Sequence, residues 1–179
     1  MGYMSAILKS KSVDKWELMA DCCRKSFKRF VQCFWEEIPG VGKLAWNWHL
    51  DVFCEELQEV AERVFVSQPK EYDLVVNVSP GTSKSSFFSI LFQPWTWTRM
   101  PQARHLASSH TENLVLDHAN KARSVVKSEK YRACFPEIVL AGDSAGSFSN
   151  TLGGERRSFT VGGKSPMGFH GVFLICLPW

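Results

Sequence analysis

No stretch of 18 or more consecutive apolar residues occurs in the chain, so no segment is expected to span a bilayer. The basic start, residues 1–12, has no apolar core behind it, which argues against a secretory signal and for a cytoplasmic protein. Charge of one sign is also scarce: 21 Lys and Arg against 18 Asp and Glu leave +3, compatible with nearby nucleic acid but not requiring it. The six cysteines, at 22, 23, 33, 54, 134 and 176, form no C-x-x-C pair. Zinc needs clustered ligands at short spacing, so these thiols are expected to be reduced and packed as small apolar residues. No internal repeat or low-complexity tract is present.

What remains is an ordinary globular composition, 45% hydrophobic and 22% charged, over 179 residues, enough for one α/β domain with its own core. Residues 14–35 predict a helix, opened by the capping pair Asp14 and Glu17, with Phe27, Phe30 and Phe34 at helical spacing. Pro39-Gly40 ends it. A second helix is expected over 46–64, with Leu50, Phe53, Leu57, Val60, Ala61 and Val64 on one face. Leu74-Val75-Val76-Asn77-Val78 then reads as a strand buried on both faces. A loop, a helix over 84–92, a strand over 104–108 and a helix over 111–127 continue the βαβ rhythm. A β-hairpin is expected from 148–151 and 157–161 around Leu152-Gly153-Gly154-Glu155, and Val172-Phe173-Leu174-Ile175-Cys176 reads as a last buried strand.

The chemistry concentrates where the first expected strand meets its helix. Ser79, Pro80, Gly81, Thr82, Ser83, Lys84, Ser85 and Ser86 form a small-residue loop opening a helix. A helix N-terminus presents unpaired N–H groups and partial positive charge to phosphate, and small residues let the backbone curl around its oxygens. Lys84 would reach the β- and γ-phosphates as the catalytic lysine, and the Ser85 hydroxyl would ligate Mg²⁺. Against G-x-x-x-x-G-K-[ST], Val78 and Ser83 occupy the two glycine positions.

The order of segments resembles the large subunit of bacteriophage terminases, whose phosphate loop often reads Pro-Pro-x-x-x-Lys-Ser. The likeness begins upstream, in Trp46-Asn47-Trp48-His49-Leu50 and Cys54-Glu55-Glu56-Leu57-Gln58. It continues in Phe92-Gln93-Pro94-Trp95-Thr96-Trp97-Thr98-Arg99-Met100-Pro101, Ser128-Glu129-Lys130-Tyr131, Asn150-Thr151-Leu152-Gly153-Gly154-Glu155-Arg156 and Gly168-Phe169-His170-Gly171. The resemblance implies an α/β fold: a partial P-loop NTPase (ASCE-like) parallel sheet flanked by helices on both faces, with an N-terminal helical segment (1–40), an incomplete ATPase domain (41–179) and a β-hairpin insertion. It further implies ATP and Mg²⁺ as cofactors, Trp48 and His49 near the adenine, and ATP hydrolysis coupled to packaging of double-stranded DNA. The implied partners are that DNA, the small terminase subunit and the portal or procapsid. A homo-oligomeric ring in the host cytoplasm is implied, with no membrane.

Two departures stand out. Family members carry two acidic residues at the end of the strand after Gly-Phe-His-Gly, whereas here Ile175-Cys176-Leu177-Pro178-Trp179 follows. The nuclease domain of the family is also absent. The chain itself is therefore expected to bind nucleotide at best, with little turnover. The alternatives are an inactive remnant with only an interaction or assembly role, or another helicase-like P-loop ATPase.

Other patterns carry blander readings. The five histidines lack paired carboxylates at ligand spacing and read as polar or half-buried side chains. Gly142-Asp143-Ser144-Ala145-Gly146 fits the nucleophile-elbow pattern but lacks its strand–turn–helix context. Trp95 and Trp97 alternate as on a strand, or cover a helix end, and read as packing rather than DNA stacking. Arg156 and Arg157 follow the Gly-Gly turn and are expected to be solvated, with an arginine-finger role as the alternative.

Overall fold

The computed structural model describes residues 14–144, 146–160 and 168–177. The basic N-terminal stretch 1–12, Ala145, the hairpin end at Val161, most of the loop that follows and the last two residues lie outside them.

The helix expected over 14–35 is two helices, α1 (Lys15–Lys25) and α2 (Phe27–Phe34). Ser26 breaks them: it is extended, and its hydroxyl accepts from the Arg29 N–H at 3.3 Å as a new N-cap. Gln58 seals the break, accepting from the Phe27 N–H (2.9 Å) and donating to the Lys25 carbonyl (3.1 Å). A short 3-10 turn, Trp35–Glu37, closes α2. Helix α3 (Trp48–Phe65) is capped by Asn47 and buries Leu50, Phe53, Cys54, Leu57 and Ala61.

The segment Leu74-Val75-Val76-Asn77-Val78 is not a strand. It runs extended, but among the described residues no main-chain group from 69 to 81 bonds another main-chain group. Val75 is 86% exposed, so the expectation of burial on both faces fails as well. The residues have the propensity for extended backbone, but no neighbouring strand supplies a ladder.

From Lys84 the chain is helical to Arg99, in two registers: a π-turn at Ser86–Leu91 runs directly into α4 (Phe92–Arg99). All seven residues from Phe92 to Thr98 are buried, so Trp95 and Trp97 are helical core and the strand alternative is wrong. Pro94 explains the irregularity. In the π register the Ser89 carbonyl looks for the N–H of residue 94, which proline lacks. Arg156 Nη1 supplies the donor instead, at 2.6 Å.

Strand β1 (Arg104–Ser109) leads through α5 (Glu112–Lys127) and α6 (Glu129–Cys134) to β2 (Leu140–Asp143), β3 (Ser147–Asn150), β4 (Glu155–Thr160) and β5 (Phe173–Leu177). The sheet order is β2-β3-β4-β1-β5. It is mixed rather than parallel: β1 pairs parallel with β4 and β5, while β2–β3 and β3–β4 are antiparallel. The β3–β4 pair is the expected hairpin, and it accounts for the antiparallel half.

One row across the sheet joins Phe148, Arg156, His105 and Phe173. All four are buried beneath helical residues, with Phe92 packed on both His105 and Phe173. The flanking rows, Arg104 with Glu155 on one side and Arg157, Leu106 and Leu174 on the other, point to the other face and are partly or well exposed among the described residues, which corrects the expectation of helices on both faces. The same exposure corrects the expectation that β5 is wholly buried: Leu174 is 64% exposed. The N-terminal helices join the same core, Phe27 meeting Phe92 and Trp95, and Phe30 and Phe34 meeting Tyr131 and Phe135.

The hairpin turn is locked to the buried helix. Asn150 Oδ1 accepts from the N–H groups of Leu152 (2.9 Å) and Gly154 (3.0 Å), while its amide donates to the Pro101 carbonyl (2.8 Å). A Cβ at Gly154 would stand 2.1 Å from the Pro101 oxygen and 2.7 Å from Trp97 Nε1. Gly154→Ala is therefore expected to cost about 2–4 kcal/mol by overpacking and loss of these bonds. A urea-denaturation midpoint within error of the unsubstituted chain would contradict this packing.

Candidate functional site

The loop between the extended segment and the buried helix carries two residues of left-handed backbone. Gly81 has φ +84° and Ser83 φ +62°, both in the left-handed region. Ser83 is a non-glycine residue held there, at the position where the phosphate-loop pattern has its second glycine. The Ser83 carbonyl accepts from the N–H groups of Ser86 (3.0 Å) and Phe87 (3.3 Å), so the helix opens at Lys84. Among the described residues, the N–H groups from Gly81 to Ser85 bond no main-chain acceptor. A run of such free donors beside left-handed residues is the kind of backbone from which anion-binding nests are made.

The side chains agree with an open cradle. Ser79, Pro80 and Gly81 are exposed, and residues 82–86 are half-buried. The Thr82 hydroxyl donates to the Ser79 carbonyl at 2.9 Å, tying the two sides of the loop together. Among the described residues, the side chains of Lys84, Ser85 and Ser86 make no hydrogen bond or ion pair.

Trp48 and His49 lie to one side. Trp48 is 74% exposed and meets His49 edge-on at 6.1 Å. His49 meets Phe53 at 5.6 Å, and Phe53 packs on Phe87 and Phe88 in the first turns of the loop's helix. The structure thus links His49 to the loop through an intervening ring, and neither side chain hydrogen-bonds residues 79–86. Two clefts among the described residues lie elsewhere. One of about 690 Å³ is lined by Lys28, Glu55, Glu59, Glu62 and Arg63. Another of about 410 Å³ lies between Tyr72-Asp73-Leu74 and the outer edge of β5.

The fit to the implied groups is uneven. The loop suits phosphate. For Mg²⁺ it offers the Ser85 hydroxyl, and β5 contributes no carboxylate. Among the described residues, no group of three or more His, Cys, Asp or Glu is placed to hold a metal.

Arg156 needs correction: it is 1% exposed, bonded to Ser89, and cannot reach outward as a finger or sit solvated. Strand parity turned it inward. Arg157, one residue on, faces the open side, bonds Glu155 at 2.6 Å and lies over the Phe169 ring. The Ser144 hydroxyl donates to the Ser147 carbonyl, and β3, not a helix, follows it.

No protein-family model, no curated protein and no solved structure matches this chain. The chain is an α/β protein with a five-stranded mixed sheet and a loop of left-handed residues at a helix start. Among the described residues no helix is long and apolar enough to cross a membrane.

Two histidines of the core have titrations set by the same burial. His105 is pushed down to about 3 by burial and then by Arg156; its Nε2 lies 2.9 Å from the Thr96 hydroxyl and its ring stacks on Phe173. His118 is pushed down to about 4, first by burial and then by Arg156, with Asp117 opposing and Lys121 adding to the shift. Both are neutral when folded at pH 7, while the unfolded chain protonates them near 6.5. Their contribution is thus complete above pH 6.5 and is lost as pH falls, by about 1.4 kcal/mol per unit for each histidine. Stability measured in urea at pH 7 and pH 5 is expected to drop, with a shallower drop in His105→Gln and in His118→Gln. An identical pH slope in both variants would rule the assignment out.

Proposed function

We propose that residues 79–86 bind the phosphates of ATP and that the chain is the ATPase portion of a terminase-like DNA-packaging motor. The observation that carries the reading is the left-handed Ser83, immediately before the helix that Lys84 and Ser85 begin. Positive φ also occurs at an ordinary helix end, as at Ser67; Ser83 supports the reading because it stands where the phosphate-loop pattern has its second glycine, directly before Lys84 and Ser85. Lys84 stabilises the charge of the β- and γ-phosphates and the Ser85 hydroxyl faces the nucleotide's Mg²⁺. Trp48 and His49 stand on the adenine side. The P-loop (ASCE-like) assignment rests on this loop and on the order of resembling segments. Double-stranded DNA, held through its backbone in a salt-sensitive manner, is the substrate of translocation. The small terminase subunit, a portal or procapsid and sister copies in a ring are the partners, in a host cytoplasm.

Binding without efficient turnover is expected of this chain. With no carboxylate on β5 the attacking water and metal lack their orienting groups, which typically supply about 10² or more in rate. A second reading, an interaction or assembly piece without nucleotide, is favoured by the unpaired outer edge of β5, where Leu174 is 64% exposed.

Calorimetric titration with Mg-ATP separates the two. Saturable binding is expected, reduced at least tenfold in Lys84→Ala, with phosphate release near background. Absence of binding by a folded chain, or equal binding by the variant, would favour the second reading. The loop backbone has its own check. Ser83→Gly is expected to keep binding, while Ser83→Val, β-branched at positive φ, is expected to lose binding and about 1–2 kcal/mol of stability. Full binding by Ser83→Val would mean that the left-handed backbone is incidental.

A further inference from the structure

The helix that runs from the π-turn into α4 is pinned to two neighbouring strands. The Ser89 carbonyl accepts from Arg156 Nη1 on β4 at 2.6 Å, and further along the Thr96 hydroxyl lies 2.9 Å from His105 Nε2 on β1. Arg156 and His105 are partners in the strand register, side by side on the covered face. Gln93 stands between the two pins, four residues after Ser89 and three before Thr96, a spacing that puts all three on one side of the helix. Helix α5 packs against both the π-turn and β4, and brings the buried His118 within range of the same guanidinium, whose charge helps to lower its titration.

This spot gathers buried polar atoms that no protein group satisfies. Arg156 Nε and Nη2, both polar side-chain atoms of Gln93, the Ser89 hydroxyl, and Nδ1 of His105 and of His118 are buried without a hydrogen-bond partner. Arg156 is also a cation without a counter-ion: burial alone sets its titration, and among the described residues no carboxylate pairs with it. An unpaired buried charge is among the most costly groups a fold can hold.

We propose that Arg156, Gln93 and Ser89 hold a small monovalent anion, a chloride ion, enclosed between the helix, α5 and the sheet. The balance of donors and acceptors favours an anion over water. A guanidinium only donates. Thr96 gives its hydroxyl proton to the Gln93 carbonyl at 2.9 Å, so it accepts from His105 Nε2 and leaves Nδ1 of that ring bare. The lone pair there cannot serve the free N–H groups of Arg156 and the Gln93 amide together. Water would bring further donors to a site already rich in them, whereas chloride only accepts and also cancels the charge. Phe148 and Phe173 flank Arg156 and His105 in their row, so an anion enters only without its water shell, which favours a halide over strongly hydrated sulfate. The ion neutralises the cation that stands in for the N–H missing at Pro94.

Crystals of the full chain grown in sodium bromide test the site directly. An anomalous bromide peak in contact with Arg156 Nη2 is expected. A water at that point, or bromide on the surface alone, would overturn the proposal. In solution, the urea midpoint is expected to rise as chloride or bromide replaces gluconate at fixed ionic strength. Arg156→Met also strips the Ser89 carbonyl of its donor, so Gln93→Leu carries the variant arm. It keeps the core filled and removes the amide donor, and about a tenfold higher halide concentration is expected for the same rise. Equal midpoints in chloride and gluconate, or an unchanged halide requirement in Gln93→Leu, would equally sink the assignment.

Discussion

The 2.6 Å hydrogen bond from Arg156 to the Ser89 carbonyl joins the sheet to the helix around which everything else is arranged. That helix is buried on all sides from Phe92 to Thr98, so every main-chain group in it must find a partner without water. Pro94 removes one donor in its middle. Left alone, the carbonyl would cost about 1–3 kcal/mol as an unsatisfied buried acceptor. A guanidinium from β4 fills the gap, and burial lowers its own ordinary value to about 10 without neutralising it at pH 7. The irregular helix and the buried cation thus explain each other. The arrangement also ties the antiparallel hairpin to the element that the candidate loop opens.

Much of this was legible where one face is wet and one dry. The periodic residues of 46–64 and 111–127 gave helices α3 and α5 within two residues, and the Gly-Gly turn gave the β3–β4 hairpin. What failed were elements without such contrast. Helix α4 has no polar face, so its alternating Trp95 and Trp97 had no period to correct a strand reading. Leu74-Val75-Val76-Asn77-Val78 shows the opposite error. Its extended backbone follows from local preference, but a strand needs a neighbour, and pairing is decided by distant sequence. Ser26 between two helices was hidden because the seal on the break, Gln58, lies 31 residues beyond Phe27.

The candidate loop was legible for a different reason. Its residues were read by pattern, and the structure adds the backbone hand at Ser83, which no side-chain pattern states. Arg156 shows the limit of reading charge as exposure. On a strand, adjacent residues face opposite ways, so of two neighbouring arginines one had to point inward. Nothing in the pair itself says which. The buried donor was decided by Pro94, 62 residues earlier in the chain, through a carbonyl that had lost its partner.

The same logic connects the loop to the core beneath it. A phosphate cradle requires free N–H groups, and free N–H groups are tolerable only where water or an anion can reach them. The exposed and half-buried residues 79–86 meet that condition, whereas two turns later the helix is dry. The π-turn Ser86–Leu91 is the transition between these two regimes. Its wider register turns the Ser89 carbonyl towards Pro94, which has no N–H to give. An anion on the loop would therefore press against a segment whose far end is fixed through Arg156 to β4 and through the Trp97 indole to the Ala103 carbonyl. Ser83 and Lys84 are thus mechanically continuous with the sheet, through a helix whose body from Phe92 to Thr98 is buried.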